Sequence, residues 1–79
     1  TFRGLSLAYQ AGREGGSMPT VFNAANEKAV AMFLNREIGY PDIPRIIEEA
    51  MMDHRKIADP SLEEILAVEA EVYAKIEKR

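Results

Sequence analysis

The sequence predicts an all-α fold, a small antiparallel four-helix bundle-like domain. Four segments place apolar residues at the i, i+3, i+4, i+7 spacing of one helix face. The breaks between them are short and built from Gly, Pro, Ser and Asp, which punctuate helices. No run of four or more residues alternates in the way a strand must. Helices joined by such short loops lie antiparallel to their chain neighbours.

The first helix is expected over residues 2–14. Phe2, Leu5, Ala8 and Tyr9 share a face, with Leu7 and Ala11 flanking it. Gly4 and Gly12 weaken it, each by about 1 kcal/mol of propensity. Gly15 and Gly16 stop it by accepting positive φ at the C-terminal cap. Ser17, Met18 and Pro19 then form a tight connection.

The second helix, residues 22–37, is the most apolar, and the rest of the chain is read as arranged around it. Phe22, Ala25, Ala29, Met32 and Phe33 make one stripe; Asn23, Glu27, Val30 and Leu34 make a neighbouring one, with Asn26 beside it. Only the third stripe, Ala24, Lys28, Ala31 and Asn35, reads as solvent-facing. Its start has two readings. Pro19 suits a first turn, and Asn23 suits an N-cap with Thr20 to Phe22 extended; the later start is preferred. Gly39, Tyr40 and Pro41 end it.

The third helix, residues 43–55, has Asp42 as N-cap and Pro44 in its first turn. Ile43, Ile46, Ile47, Ala50 and Met51 follow the helical period without a break. Asp53, His54, Arg55 and Lys56 close it with cations at the negative end of its dipole, and Ile57 tucks back onto the core. The fourth helix, residues 62–77, carries the strongest local signal. Ser61 with Glu64 three residues on forms a capping box, with Asp59 and Pro60 as the alternative start. Leu62, Ile65, Leu66, Val72, Tyr73 and Ile76 are its expected buried side, with Ala67, Val68, Ala70 and Ala74 nearby. Glu69 is a misfit there, and Glu71 with Lys75 offers an i, i+4 ion pair.

Seventy-nine residues allow one domain with one modest core. A net charge of −3, with ten basic residues dispersed among thirteen acidic ones, argues against nucleic acid. There is no run of eighteen apolar residues to cross a membrane. The first residues lack the pattern of a secretory signal. The absence of cysteine removes disulfides and thiolate metal sites and agrees with a reducing, cytoplasmic setting. The first residue is not Met, which points to a domain of a longer protein or a processed chain.

Few residues promise chemistry. His54 is read as a solvated helix-terminal histidine, since ligand partners at helical spacing are missing. Glu48 with Glu49, and Glu63 with Glu64, are sequence neighbours that point about 100° apart on a helix and cannot share a proton. The Gly12 to Gly16 stretch follows a helix and lacks the Lys-Ser/Thr of a phosphate loop. The four methionines are spread over different elements and read as core filler or edge contacts. The cluster that invites a role is Asn23, Asn26 and Glu27, because it continues an apolar stripe. Either Asn23 caps the helix while Glu27 favours the positive dipole end, or the flank is covered from outside. In the second case Asn23, Asn26, Glu27, Val30 and Leu34 are the contact candidates. Covered polar groups need partners, since each one left unpaired costs roughly 1–3 kcal/mol.

The run FRGLSLAYQAGREGG, then MPTVFNAANEKAVAMFLNREIGYPDI, then DPSLEEILAVEAEV resembles the C-terminal helical domain of the 1-deoxy-D-xylulose 5-phosphate reductoisomerases. The Asn-Ala-Ala-Asn-Glu run at 23–27 is its most specific piece, and the likeness covers essentially the whole chain. The resemblance implies a parent enzyme that uses NADPH and Mg²⁺ or Mn²⁺ to rearrange and reduce 1-deoxy-D-xylulose 5-phosphate to 2-C-methyl-D-erythritol 4-phosphate in non-mevalonate isoprenoid synthesis. It implies that cofactor, metal and substrate ligands lie in two preceding domains and that none maps onto this chain. The expected role is therefore a non-catalytic support packed on the catalytic domain of the parent chain, itself a homodimer. Two other classes remain: a free-standing helical interaction module, distinguished by the upstream reading frame, and a helix-turn-helix regulator, distinguished by a salt titration against DNA.

Overall fold

The central position of the second helix is realised. The computed structural model describes residues 3–78, with α1 (Arg3–Glu14), α2 (Met18–Leu34), α3 (Asp42–Asp53) and α4 (Leu62–Glu77) and no strand among the described residues. α2 packs against the other three helices; α1 and α3 also meet, α3 and α4 meet along a narrower line, and α1 and α4 do not touch. The cause lies in side-chain size. α2 presents Ala24, Ala25 and Ala29, all but inaccessible, to the larger Ile46, Ile47 and Met51 of α3 and Val68, Val72 and Ile76 of α4. Small residues against large ones let helix axes approach and side chains interlock.

Three faces are rotated from the expected ones. On α1 the buried residues are Leu7 and Ala11, while Leu5 and Tyr9 are exposed. Phe2, placed on the expected face, lies outside the described residues. On α2 the expected wet stripe is wrong at Ala24, which is 2% exposed, and at Lys28, which is half-buried and paired with Glu77 at 2.6 Å. On α4, Leu62 and Leu66 are exposed and the contact runs through Val68, Val72 and Ile76. α4 has only α2 and an edge of α3 to lie on, so one narrow stripe is buried. α3 keeps its expected face: Ile46, Ile47 and Met51 are buried, with Ile43 and Ala50 packed beside them.

The helix ends show why the boundaries moved. Gly15 and Gly16 take φ of 66° and 57°, as expected of a glycine stop. α2 then begins at Met18, with Pro19 in its first turn, so Asn23 lies inside the helix and caps nothing. α2 ends at Leu34, three residues early. The Arg36 N–H donates to Phe33 O and the Glu37 N–H to Met32 O, a Schellman closure with Arg36 at φ 62° in the place usually held by glycine. Asp42 sits inside α3, behind Pro41. Its carboxylate accepts from the Gly39 N–H at 2.9 Å and pairs with Arg45. The capping box at α4 forms as expected: Glu64 N–H to Ser61 Oγ at 3.1 Å and Ser61 N–H to Glu64 Oε1 at 2.9 Å.

Candidate functional site

Three features of the surface and core could carry a role. The first is the α2 stripe Asn23, Glu27, Val30 and Leu34. All four are exposed, Leu34 at 72%, and Asn26 beside them is half-buried. Leu34 is exposed apolar surface at the end of this stripe. Glu27 has a partner within the domain, since the Tyr73 hydroxyl donates to its Oε1 from α4. That carboxylate pushes the Tyr73 pKa up to about 12, helped by desolvation and by the charge of Glu69. The misfit Glu69 is thus a half-buried neighbour of this pair.

The second feature is a knot that ties the α1–α2 turn to the segment after α3. Ser17 is fully buried, and its hydroxyl lies 2.7 Å from His54 Nε2 while accepting the Ile57 N–H at 2.8 Å. The Ser17 N–H donates to Ile57 O at 2.9 Å, and Lys56 Nζ donates to Glu14 O at 3.0 Å. His54 is therefore not a solvated helix-terminal residue. It is part-buried in extended backbone beyond α3, and Lys56 serves the last turn of α1 instead of α3. Burial lowers the His54 pKa below 6.5; Glu71 opposes that shift and Lys75 adds to it. Glu71 and Lys75 line a hollow of about 80 Å³ beside His54, and the ion pair expected between them does not form. The knot is structural. Ser17 has no access to solvent, so a nucleophilic reading of the Ser17–His54 pair fails.

Sequence reasoning missed Ser17. Its residue type suited a cap, and it does occupy the N-cap position of α2, yet its side chain makes no capping bond there. Long-range pairing with residues 54 and 57 left no local signal.

The third feature is an open groove of about 510 Å³ where α1, α2 and α3 meet, walled by Phe22, Val30, Tyr40, Pro41 and Ile47 with Asn26 on its side. Tyr40 is held edge-on against Phe33 at 5.7 Å. The lining offers neither a cluster of cations for phosphates nor converging carboxylates. Among the described residues no three His, Asp or Glu side chains converge as a metal donor set. These residues do not fit a dinucleotide or a divalent cation, and no chemical step is derived from them.

A family model described as the DXP reductoisomerase C-terminal domain matches residues 1–75. The 1-deoxy-D-xylulose 5-phosphate reductoisomerase of Shouchella clausii is 57% identical over 76 residues, 96% of this chain and 20% of that protein. Those of Thermoanaerobacter sp. and Agathobacter rectalis are 52% and 53% identical over the full 79 residues, 21% of each relative. The chain thus spans about a fifth of the length of the curated relatives it matches. No solved structure matches it. A four-helix unit with the Asn-Ala-Ala-Asn-Glu run on its central helix, alike to these proteins over nearly all its length, belongs to the DXP reductoisomerase C-terminal domain family.

Proposed function

We propose that this chain is the supporting C-terminal domain of a 1-deoxy-D-xylulose 5-phosphate reductoisomerase and takes no part in bond making itself. The parent converts 1-deoxy-D-xylulose 5-phosphate to 2-C-methyl-D-erythritol 4-phosphate in isoprenoid biosynthesis, with NADPH and Mg²⁺ or Mn²⁺ held by its other domains. It works in the cytoplasm as a homodimer. The observation that carries the reading is the match of the whole chain to one fifth of such enzymes.

The α2 stripe is the docking face towards the catalytic domain, with Val30 and Leu34 as apolar contacts and Asn23, Asn26 and Glu27 as polar ones. Its support is exposed apolar surface beside polar side chains on the most central helix. Docking restrains the catalytic domain so that its mobile active-site loop closes in register. The test is turnover and thermal midpoint of the full enzyme with and without residues 1–79. Loss of both is expected, and unchanged kcat and midpoint would reject the role.

A further inference from the structure

We propose that His54 is an acid-operated latch: the neutral ring accepts the Ser17 hydroxyl and holds the α3–α4 connection against the α1–α2 turn, and the protonated ring swings to Glu71 and lets that connection go. The inference rests on the fold alone and is independent of what the domain supports.

The count of hydrogen-bonding groups is the first argument. The Ser17 hydroxyl is fully buried and has two partners among the described residues, the Ile57 N–H and His54 Nε2. The Ile57 N–H donates to it, so the single hydroxyl proton has His54 Nε2 as its acceptor. Nε2 therefore carries a lone pair, and the neutral ring keeps its proton on Nδ1. Burial, which holds the His54 pKa below 6.5, agrees with a neutral ring. A further proton has to go on Nε2. Two donors, the Ile57 N–H and the imidazolium, then point at Oγ, and the hydroxyl proton is left without an acceptor in a buried site, which proteins avoid.

The surroundings are the second argument. The hollow of about 80 Å³ beside His54 gives the ring room to turn, and charged groups line it from two helices: Glu49 and Asp53 from α3, Glu71 and Lys75 from α4. Arg55 and Lys56 follow His54 in the chain, and Glu64 lies on the same side of α4. Lys56 is committed to Glu14 O and Glu64 to its capping box. Glu71 accepts no hydrogen bond among the described residues, and its charge favours the imidazolium, which Lys75 opposes. Once the ring has left, the Ser17 hydroxyl needs water, and water enters by parting the 54–57 segment from the turn. α3 and α4 meet along a narrow line, so this tether fixes the start of α4, where Leu62 and Leu66 stand exposed.

Histidine C2-hydrogen exchange and backbone amide exchange, both read by mass spectrometry in the full-length parent, test this. The His54 midpoint should lie below 6.5 in the wild type, rise in Ser17→Ala, which removes the hydroxyl that favours the neutral ring, and fall further in Glu71→Gln, which removes the anion. Below the wild-type midpoint the amides of residues 54–59, corrected for the intrinsic effect of pH, should exchange about tenfold faster than above it, while those of α2 keep their protection. His54→Gln keeps an acceptor near the place of Nε2 and takes up no proton, so it should abolish that change. A midpoint that falls or stays in Ser17→Ala would put the proton of the neutral ring on Nε2 and overturn the latch. A midpoint unmoved in Glu71→Gln would remove its second position and overturn it equally. So would acid loosening that persists in His54→Gln, or that reaches α2 at the same pH. Glu71 is exposed, so Glu71→Gln decides the matter even where Ser17→Ala does not fold.

Discussion

Gly15 and Gly16 share a backbone conformation, φ 66° and 57°, but not a surrounding. A Cβ on Gly15 meets nothing within 4 Å; one on Gly16 would sit 2.3 Å from Ile57 O, a backbone atom that cannot swing aside. Gly15→Ala therefore carries only the left-handed penalty of about 1–2 kcal/mol, partly offset by the stiffer unfolded chain. Gly16→Ala carries the same penalty and must also push the 57–58 segment away by about 1 Å to reach ordinary contact. That shift breaks the Ser17 N–H to Ile57 O bond and strains the Ile57 N–H to Ser17 Oγ bond. Two bonds among buried groups add about 2–4 kcal/mol. A domain of this size has roughly 4–12 kcal/mol of stability in all. Urea and thermal unfolding followed by far-UV circular dichroism should place Gly15→Ala within about 8 °C of the wild type and Gly16→Ala about 15 °C or more below it. Equal midpoints for the two variants would refute the close approach.

The same knot makes stability depend on pH. A folded-state pKa of His54 held below 6.5 means the unfolded chain takes up the proton first, so stability is full above 6.5 and falls as pH drops towards the folded value. His54→Asn should flatten that part of the pH profile, from 6.5 downwards, and an unchanged profile would contradict it. Ser17→Ala should cost about 1–3 kcal/mol by orphaning the Ile57 N–H, whereas Ser61→Ala, which loses only an exposed cap, should cost about 1. Unfolding titrations that rank them the other way would contradict the buried pairing. Absorbance titration should find one of the three tyrosines ionising near 12 and moving towards 10 in Glu27→Gln, which removes the charge accepting the Tyr73 hydroxyl.

What local chemistry governs was legible in the sequence. The Ser61–Glu64 box, the glycine stop at 15–16 and the Ile46–Ile47–Met51 face each depend on residues within one or two helical turns. The centrality of α2 followed from its apolar circumference. What depended on tertiary contact was not legible. Leu5, Tyr9, Leu62 and Leu66 look like core residues by type, but α1 and α4 each have few neighbours to lie on, and packing rotated them outward. The end of α2 was hidden because arginine, not glycine, occupies the left-handed position. His54 looked solvated because its partner, Ser17, lies 37 residues away. The α2 stripe was named from the sequence, and the structure adds that Glu27 reaches Tyr73 while Leu34 stays bare and Val30 about a third exposed.

Leu34→Asp, measured both in the 79-residue chain and in the full parent enzyme, tests the supporting role most directly. Leu34 is 72% exposed and ends α2, so in the short chain the substitution should cost only about 1 kcal/mol, from lower helix propensity and the dipole's negative end. In the parent it would set a charge against the catalytic domain and forfeit about 1.5–3 kcal/mol of apolar burial, lowering the thermal midpoint and turnover together. The same small effect in both proteins would contradict docking through this face.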